Sequence, residues 1–250
     1  HPKSGRSENE DLDGVFHPAR NGRGTGGSFQ RKTEQHQSLA AGIAKFGMAA
    51  VRNALPYHDH RMPPELQRAE YAVSSNIRRT IHSTRHAVID VRAMADWLQT
   101  QGYERIALCG TSLGSCYAYS ASADDDRFEV CVYNHRSTHF GDVVWEGLST
   151  QHIREGLEGN VSGDELRDLW SAIGTPAYFD KYASKKKSLS MYAAYADVSS
   201  ANVEEVVRNA REKGLNYKAV CLPCGHYTEG ETPFKFMADY HIISCLKRNL

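Results

Sequence analysis

Short apolar segments alternate with amphipathic ones along most of the chain. Arg105-Ile106-Ala107-Leu108-Cys109-Gly110, Phe128-Glu129-Val130-Cys131-Val132-Tyr133 and Tyr217-Lys218-Ala219-Val220-Cys221-Leu222 read as buried strands, and Ser188 to Ala196, rich in Tyr and Ala, reads as a fourth. Between them run helical periods. Ser83 to Thr100 carries Val88, Val91, Ala95 and Leu98 on one stripe, with Gly102 just past its end. Leu113 to Ser122 is a helix of small residues, and Asn202 to Lys213 has Val203, Val206, Val207 and Ala210 facing inward, with Asn202 and Glu205 as its cap. Thr232-Pro233 opens a last helix whose stripe includes Phe236, Tyr240, Ile243 and Leu246. A further strand is expected from Met48 toward Leu55, after a helix carrying Leu39, Ile43 and Phe46 and stopped by Gly47. Strands that alternate with helices in this way predict an α/β fold, a mostly parallel sheet with helices on both faces.

Two regions depart from the alternation. Residues 1–32 hold six Gly, six Lys+Arg and few apolar side chains (Leu12, Val15, Phe16, Ala19 and Phe29), so an irregular segment is expected there. Residues 33–250 form the domain proper. Within it, residues 136–187 are mostly helical, with Ser162-Gly163-Asp164-Glu165 as a capping box ahead of Leu166, Leu169 and Trp170, and read as an inserted cap. With the front of the chain irregular, the strand near Met48 is expected to be an exposed edge or one covered by loop, which predicts either a homodimer or poor solubility.

Composition removes several function classes. In 250 residues, 30 Lys+Arg balance 30 Asp+Glu, which is not the basic excess of a nucleic-acid binder. No apolar run reaches the roughly 18 to 20 residues of a membrane span. The six cysteines are too sparse for a disulfide scaffold, and reduced thiols point to the cytoplasm. Cys221-Leu222-Pro223-Cys224 has redox spacing but continues a strand instead of opening a helix. Gly22-Arg23-Gly24-Thr25-Gly26-Gly27 follows no strand, so it is not read as a dinucleotide site.

The sharpest chemical signal is Gly110-Thr111-Ser112-Leu113-Gly114, a G-x-S-x-G motif with an apolar strand before it and a helix after it. A strained strand-to-helix turn would push the Ser112 hydroxyl outward. Glycines at 110 and 114 would leave room where the chain crowds itself. The backbone N–H of Leu113, at the helix start, is the oxyanion donor to name. A serine needs a base, and the base needs an orienting group. Asp197 follows the strand Ser188 to Ala196, and His226 follows the strand ending at Leu222. Each alone could be a turn residue; together with Ser112 they stand at carboxyl ends of strands, where catalytic groups of parallel sheets collect. Asp142 is the second choice of acid and Asp180 a weaker third. His58-Asp59-His60-Arg61 reads as a pocket loop more readily than as a metal site, and His135, His139 and His152 read as scattered histidines. No metal and no cofactor is called for.

These residues resemble the α/β-hydrolase superfamily. More narrowly, Leu55-Pro56-Tyr57-His58, the Trp170 helix before Gly174-Thr175-Pro176, and Leu222-Pro223-Cys224-Gly225-His226-Tyr227-Thr228 followed by Pro233-Phe234 are similar to a bacterial group related to α/β-hydrolase domain-containing protein 18. The resemblance runs from about Thr33 to the C-terminus. It implies Ser112 as nucleophile, His226 as base and Asp197 as its acid, in a serine hydrolase that cleaves a carboxylic ester or related acyl bond. The sequence departs from the superfamily at its front. The first strands are missing or unrecognisable, and the region of His17-Pro18 and the glycine run is a poor match for the loop that gives a second oxyanion amide. The alternative is therefore a catalytically impaired hydrolase fold that binds or interacts. Phe140, Trp145, Trp170, Tyr178 and Phe179 in the cap point to an apolar acyl or aryl group, in a small-molecule or lipid-like acyl substrate.

Overall fold

A computed structural model describes residues 39–250 except 67, 138, 183–186 and 194–199. The irregular segment expected over 1–32, and Asp197, lie outside the described residues. The chain divides into two compact units, 1–54 and 55–250. In the first, residues 39–44 are helical and end at Gly47, whose φ of 79° is the left-handed conformation a helix stop favours. Residues 48–55 carry no strand. The strand expected from Met48 is a misreading of a short apolar run, and the edge-pairing argument for a homodimer loses its strand with it.

The second unit is built on four parallel strands, β1 (Ile106–Thr111), β2 (Phe128–Asn134), β3 (Lys187–Ala193) and β4 (Tyr217–Leu222), in spatial order 1-2-3-4. Val130, Cys131, Val132 and Tyr133 are all 0% exposed, and successive side chains of a strand point to opposite faces. Both faces of β2 are therefore covered, which explains its continuous apolar run. Helix α1 (Ile77–Thr100) starts six residues before Ser83, where the sequence pattern begins it, and Asn76 caps it by accepting from the Arg79 N–H (2.9 Å). Its Ala87, Val91 and Ala95 are buried, and it packs on α2 (Leu113–Ala123), which lies against β1 and β2. The helix after β3, here called α6, spans Ser200–Glu212 and buries Val206 and Ala210; it starts two residues before the Asn202 cap that the sequence indicates.

Between β2 and β3 stand α3 (Phe140–Glu146), α4 (Gln151–Glu155) and α5 (Gly163–Leu169), with 3₁₀ turns. Ser162 and Glu165 make both bonds of the capping box at the start of α5. These helices have a core of their own: Phe140, Val144, Ile153, Leu157, Leu166, Trp170 and Ile173 are buried together, with the Phe140 and Trp170 rings edge to face at 5.5 Å. The Phe140 and Trp170 rings thus fill the interior of this region and do not line a substrate wall. Arg136 joins the region to the sheet. It is 5% exposed, lies 4.2 Å over the Tyr119 ring, and donates to Thr175 Oγ1 (3.2 Å) and the Tyr217 hydroxyl (3.1 Å).

The final helix, α7 (Phe234–Asn249), buries Ala238, Ile242 and Leu246 and packs on β2, β3 and β4. Phe236 and Tyr240 are each 61% exposed, so the stripe read from the sequence is partly on the wrong face. The helix has two apolar rows, and the one that is buried holds Ala238, Ile242 and Leu246.

The interior of the helical region gives a direct stability test. Trp170 is fully buried, and its indole N–H donates to the Ile77 carbonyl (3.3 Å). Trp170→Ala is expected to lower unfolding free energy by about 3 to 5 kcal/mol in urea melts. A loss under about 1 kcal/mol would contradict this packing.

Candidate active site

The carboxyl ends of the strands lie in register. Thr111 pairs with Asn134, Asn134 with Met191, and Ala193 with Leu222, so the residues that follow them share one edge of the sheet. Ser112 leaves β1 with φ 54° and ψ −124°, a conformation that costs a non-glycine residue roughly 1 to 3 kcal/mol and persists only where its surroundings enforce it. Three contacts enforce it. The Ser112 N–H donates to the Asn134 carbonyl (2.8 Å), and the Ser112 carbonyl accepts from the N–H (2.9 Å) and hydroxyl (2.5 Å) of fully buried Ser115.

The two motif glycines are not equivalent. A Cβ on Gly110 would stand 2.2 Å from the Gly114 carbonyl oxygen and 2.8 Å from Ser115 Cα, both backbone atoms. A Cβ on Gly114 would meet only the flexible Leu55 side chain, at 3.9 Å. The tight position is Gly110; Gly114 contributes its carbonyl to that crowding.

His226 stands on the turn after β4. Gly225 donates to Thr228 Oγ1 (2.8 Å), and the Glu229 N–H donates to the Gly225 carbonyl (3.2 Å), closing the turn around the histidine. Its Nε2 lies 3.1 Å from Ser112 Oγ, although 114 residues separate the two. That is hydrogen-bond distance for a hydroxyl and an imidazole. The Leu113 N–H is at the first residue of α2, beside Ser112.

The other candidate acids are engaged elsewhere. Asp142 is buried and held by Arg167 through two bonds, Nε to Oδ1 (2.7 Å) and a terminal N–H to Oδ2 (3.0 Å). Asp180 is exposed and paired with Lys213. In the loop His58-Asp59-His60-Arg61, Arg61 pairs with Asp90 (2.5 Å) and the His58 ring contacts the Pro56 carbonyl (2.9 Å).

Sequence reasoning passed over two residues that the fold brings to His226. The His135 ring lies 4.7 Å from the His226 ring, and its Nε2 contacts the Glu229 carboxylate. Glu229 is 4% exposed and also accepts from Asn134 Nδ2 (2.6 Å). His135 directly follows β2, so its place at a strand end was the available signal; Glu229, in a polar turn, carried none. Tyr227 sits edge-on to His226 at 5.3 Å, and beside it an open groove of about 480 Å³ is lined by Arg68, Leu148, His152 and Glu155 as well.

A parallel sheet with a strained serine at a strand-to-helix turn, and a histidine from the last strand's loop against its hydroxyl, defines the α/β-hydrolase class. Residues 23–211 match the family model described as "Alpha/beta hydrolase domain containing 18", and the chain belongs to that family. The match begins ahead of Thr33, inside the segment read as irregular, and ends before His226. No curated protein matches. The solved structures it resembles are too distant in sequence to show more than the fold. An esterase of Pyrococcus furiosus is 13% identical, with a TM-score of 0.60 over 87% of this chain and 78% of that one. A cold-adapted esterase from an Arctic intertidal metagenomic library is 14% identical, with a TM-score of 0.57 over 87% and 78%. The 2,6-dihydroxy-pseudo-oxynicotine hydrolase is 17% identical, with a TM-score of 0.57 over 86% of this chain. The chain spans 57% of that hydrolase's length, and 25% of a Mycobacterium tuberculosis puromycin-hydrolyzing peptidase. The fold and family support hydrolase activity in general. Among the described residues, no helix is long and apolar enough to cross a membrane.

Two predictions follow from this packing and charge. Gly110→Ala must displace backbone, so a destabilisation of about 1 to 3 kcal/mol is expected, whereas Gly114→Ala should cost under 1 kcal/mol. Equal losses in chemical denaturation would refute the asymmetry. Asp239, half-buried on α7, has its carboxyl pushed above the ordinary range by burial first and by the Glu229 charge second. Because its folded pKa is raised, its contribution is most favourable below the unfolded carboxylate pKa and is lost as pH rises through the folded value. Asp239→Asn should therefore raise the melting temperature at pH 7 and lose that advantage near pH 3. An equal gain at both pH values would count against the assignment.

Proposed function

We propose that this protein is a serine hydrolase that cleaves a carboxylic ester or related acyl bond through an acyl-enzyme, with Ser112 as nucleophile, His226 as base and Asp197 as its orienting acid. The observation that carries the reading is the 3.1 Å approach of Ser112 Oγ to His226 Nε2. His226 takes the Ser112 proton as the hydroxyl attacks the carbonyl, then returns it to the leaving group. Water enters, gives its proton to His226, and releases the acid. The Leu113 N–H, with the start of α2 behind it, faces the developing oxyanion. Asp197 is assigned from its chain position: it follows β3, which pairs with β4, the strand that leads to His226. The engagement of Asp142 with Arg167 favours it further.

The helices between β2 and β3 act in this reading as a cap, covering residues 136–187. The groove beside Tyr227 would take part of the substrate; exposed Leu148 and Tyr227 offer apolar surface, and Arg68, His152 and Glu155 polar groups. That mixture suits a small or amphiphilic acyl compound, and the mechanism requires no cofactor.

The test is direct. A fluorophosphonate probe should label the wild-type chain on the Ser112 peptide, read by mass spectrometry, and Ser112→Ala should abolish both labelling and turnover of an activated ester. The expected loss of turnover is on the order of 10⁴ to 10⁶. Asp197→Asn should cost about 10⁴ in kcat if it fixes the imidazole tautomer. Turnover retained in Ser112→Ala would end the mechanism; turnover retained in Asp197→Asn would move the acid elsewhere.

A further inference from the structure

We infer that His135 and Glu229 form a buried positioning pair that holds His226, the base of the reaction proposed above, in its working orientation; the inference rests on that reading.

The need for such a pair comes from where His226 sits. It belongs to the connection between β4 and α7 and is itself part-exposed. General-base catalysis requires the imidazole to be held to within a fraction of an ångström of the hydroxyl it serves. Hydrogen bonds within residues 225–229 close the turn but do not fix it to the sheet. Glu229 does. Three residues after the base, its side chain enters the interior, where an ionised carboxylate is costly unless it is paired and hydrogen-bonded. Its two side-chain partners are consecutive residues at the end of β2, Asn134 through Nδ2 (2.6 Å) and His135 through Nε2. β2 is buried on both faces, so its end is held by packing from either side.

His135 completes the link. Its φ of 58° is the left-handed region, which asparagine or glycine would enter more readily than histidine. The backbone is held there by its N–H bond to the Met191 carbonyl (2.9 Å). The turn places one edge of the imidazole on Glu229 and its centroid 4.7 Å from that of the His226 ring, the two tilted at 54°. The ring is thus clamped between the base and the carboxylate of the base's own turn. Tyr227 bounds His226 on another side, edge-on at 86°. The His135 ring meets Ser112 only by way of His226, and Asn134 touches Ser112 only through its backbone carbonyl, so the pair acts on orientation and not on the substrate.

Two variants separate positioning from binding. Glu229→Gln keeps the size and an acceptor for Asn134 but removes the charge facing His135. His135→Asn keeps a residue suited to the left-handed backbone but removes the ring. Each is expected to lower kcat on an activated ester at least ten-fold, with KM within two-fold of wild type and circular dichroism unchanged. The double variant should be no slower than the slower single one, because the two residues act as a unit. A folded variant with wild-type kcat, or a loss confined to KM, overturns the inference. If neither variant folds, the wild-type protein decides. A slowly exchanging imidazole N–H resonance, assigned to His135 by ¹⁵N-histidine labelling, should shift when Ser112 is phosphonylated; a His135 proton in free exchange, or one that does not respond, overturns it. The underlying mechanism fails separately. Turnover retained in Ser112→Ala removes the serine reading, whereas an inactive Ser112→Ala beside fully active Glu229→Gln and His135→Asn removes only the pair.

Discussion

The strand-to-helix turn at Ser112 depends on one close approach, that of Gly110 to the Gly114 carbonyl. Only a residue without a side chain lets α2 begin that near to the end of β1. Everything chemical follows from this crowding. It forces Ser112 into its strained conformation, lifts its hydroxyl out of the sheet, and sets the first amides of α2 beside it. The carbonyl of Asn134 and the buried Ser115 hydroxyl then hold the strained residue in place.

The second constraint is the burial of β2. The strand is packed on both faces, and its end carries Asn134, His135 and Arg136 in succession, each with a different duty. Asn134 accepts from the Ser112 N–H through its carbonyl and donates to Glu229 through its side chain. The His135 ring lies against that of His226. Arg136 turns back into the tyrosine cluster and bonds to Thr175 and Tyr217, tying the helical region and β4 to the same strand end. One strand end thus supports Ser112, the loop of His226 and the root of the inserted helices.

The inserted region uses its aromatic side chains on itself. Phe140 and Trp170 read in the sequence as lipid-facing candidates, and the fold spends them on an internal core. The surface near His226 is instead a mixed groove with Arg68, His152 and Glu155 beside Leu148 and Tyr227. The character of this groove is therefore set by groups that no hydrophobic count would reveal, because it depends on which side of each short helix faces it.

Local patterns determined a great deal. The G-x-S-x-G pentapeptide marked the elbow, continuous apolar runs marked β1, β2 and β4 to within a residue or so, and Ser162 with Glu165 marked the start of α5, because each is settled by neighbours in sequence. The tertiary structure decided what depends on distant partners. Residues 48–55 carry apolar side chains but form no strand, since pairing, not pattern, makes one. Phe236 and Tyr240 face outward because the sheet chose the other row of α7. Asp142 went to Arg167, 25 residues away, and Glu229 to Asn134, 95 residues away, each by the requirement that a buried carboxylate meet a donor. Which charge meets which donor is a long-range matter of three-dimensional proximity, and no spacing along the chain encodes it.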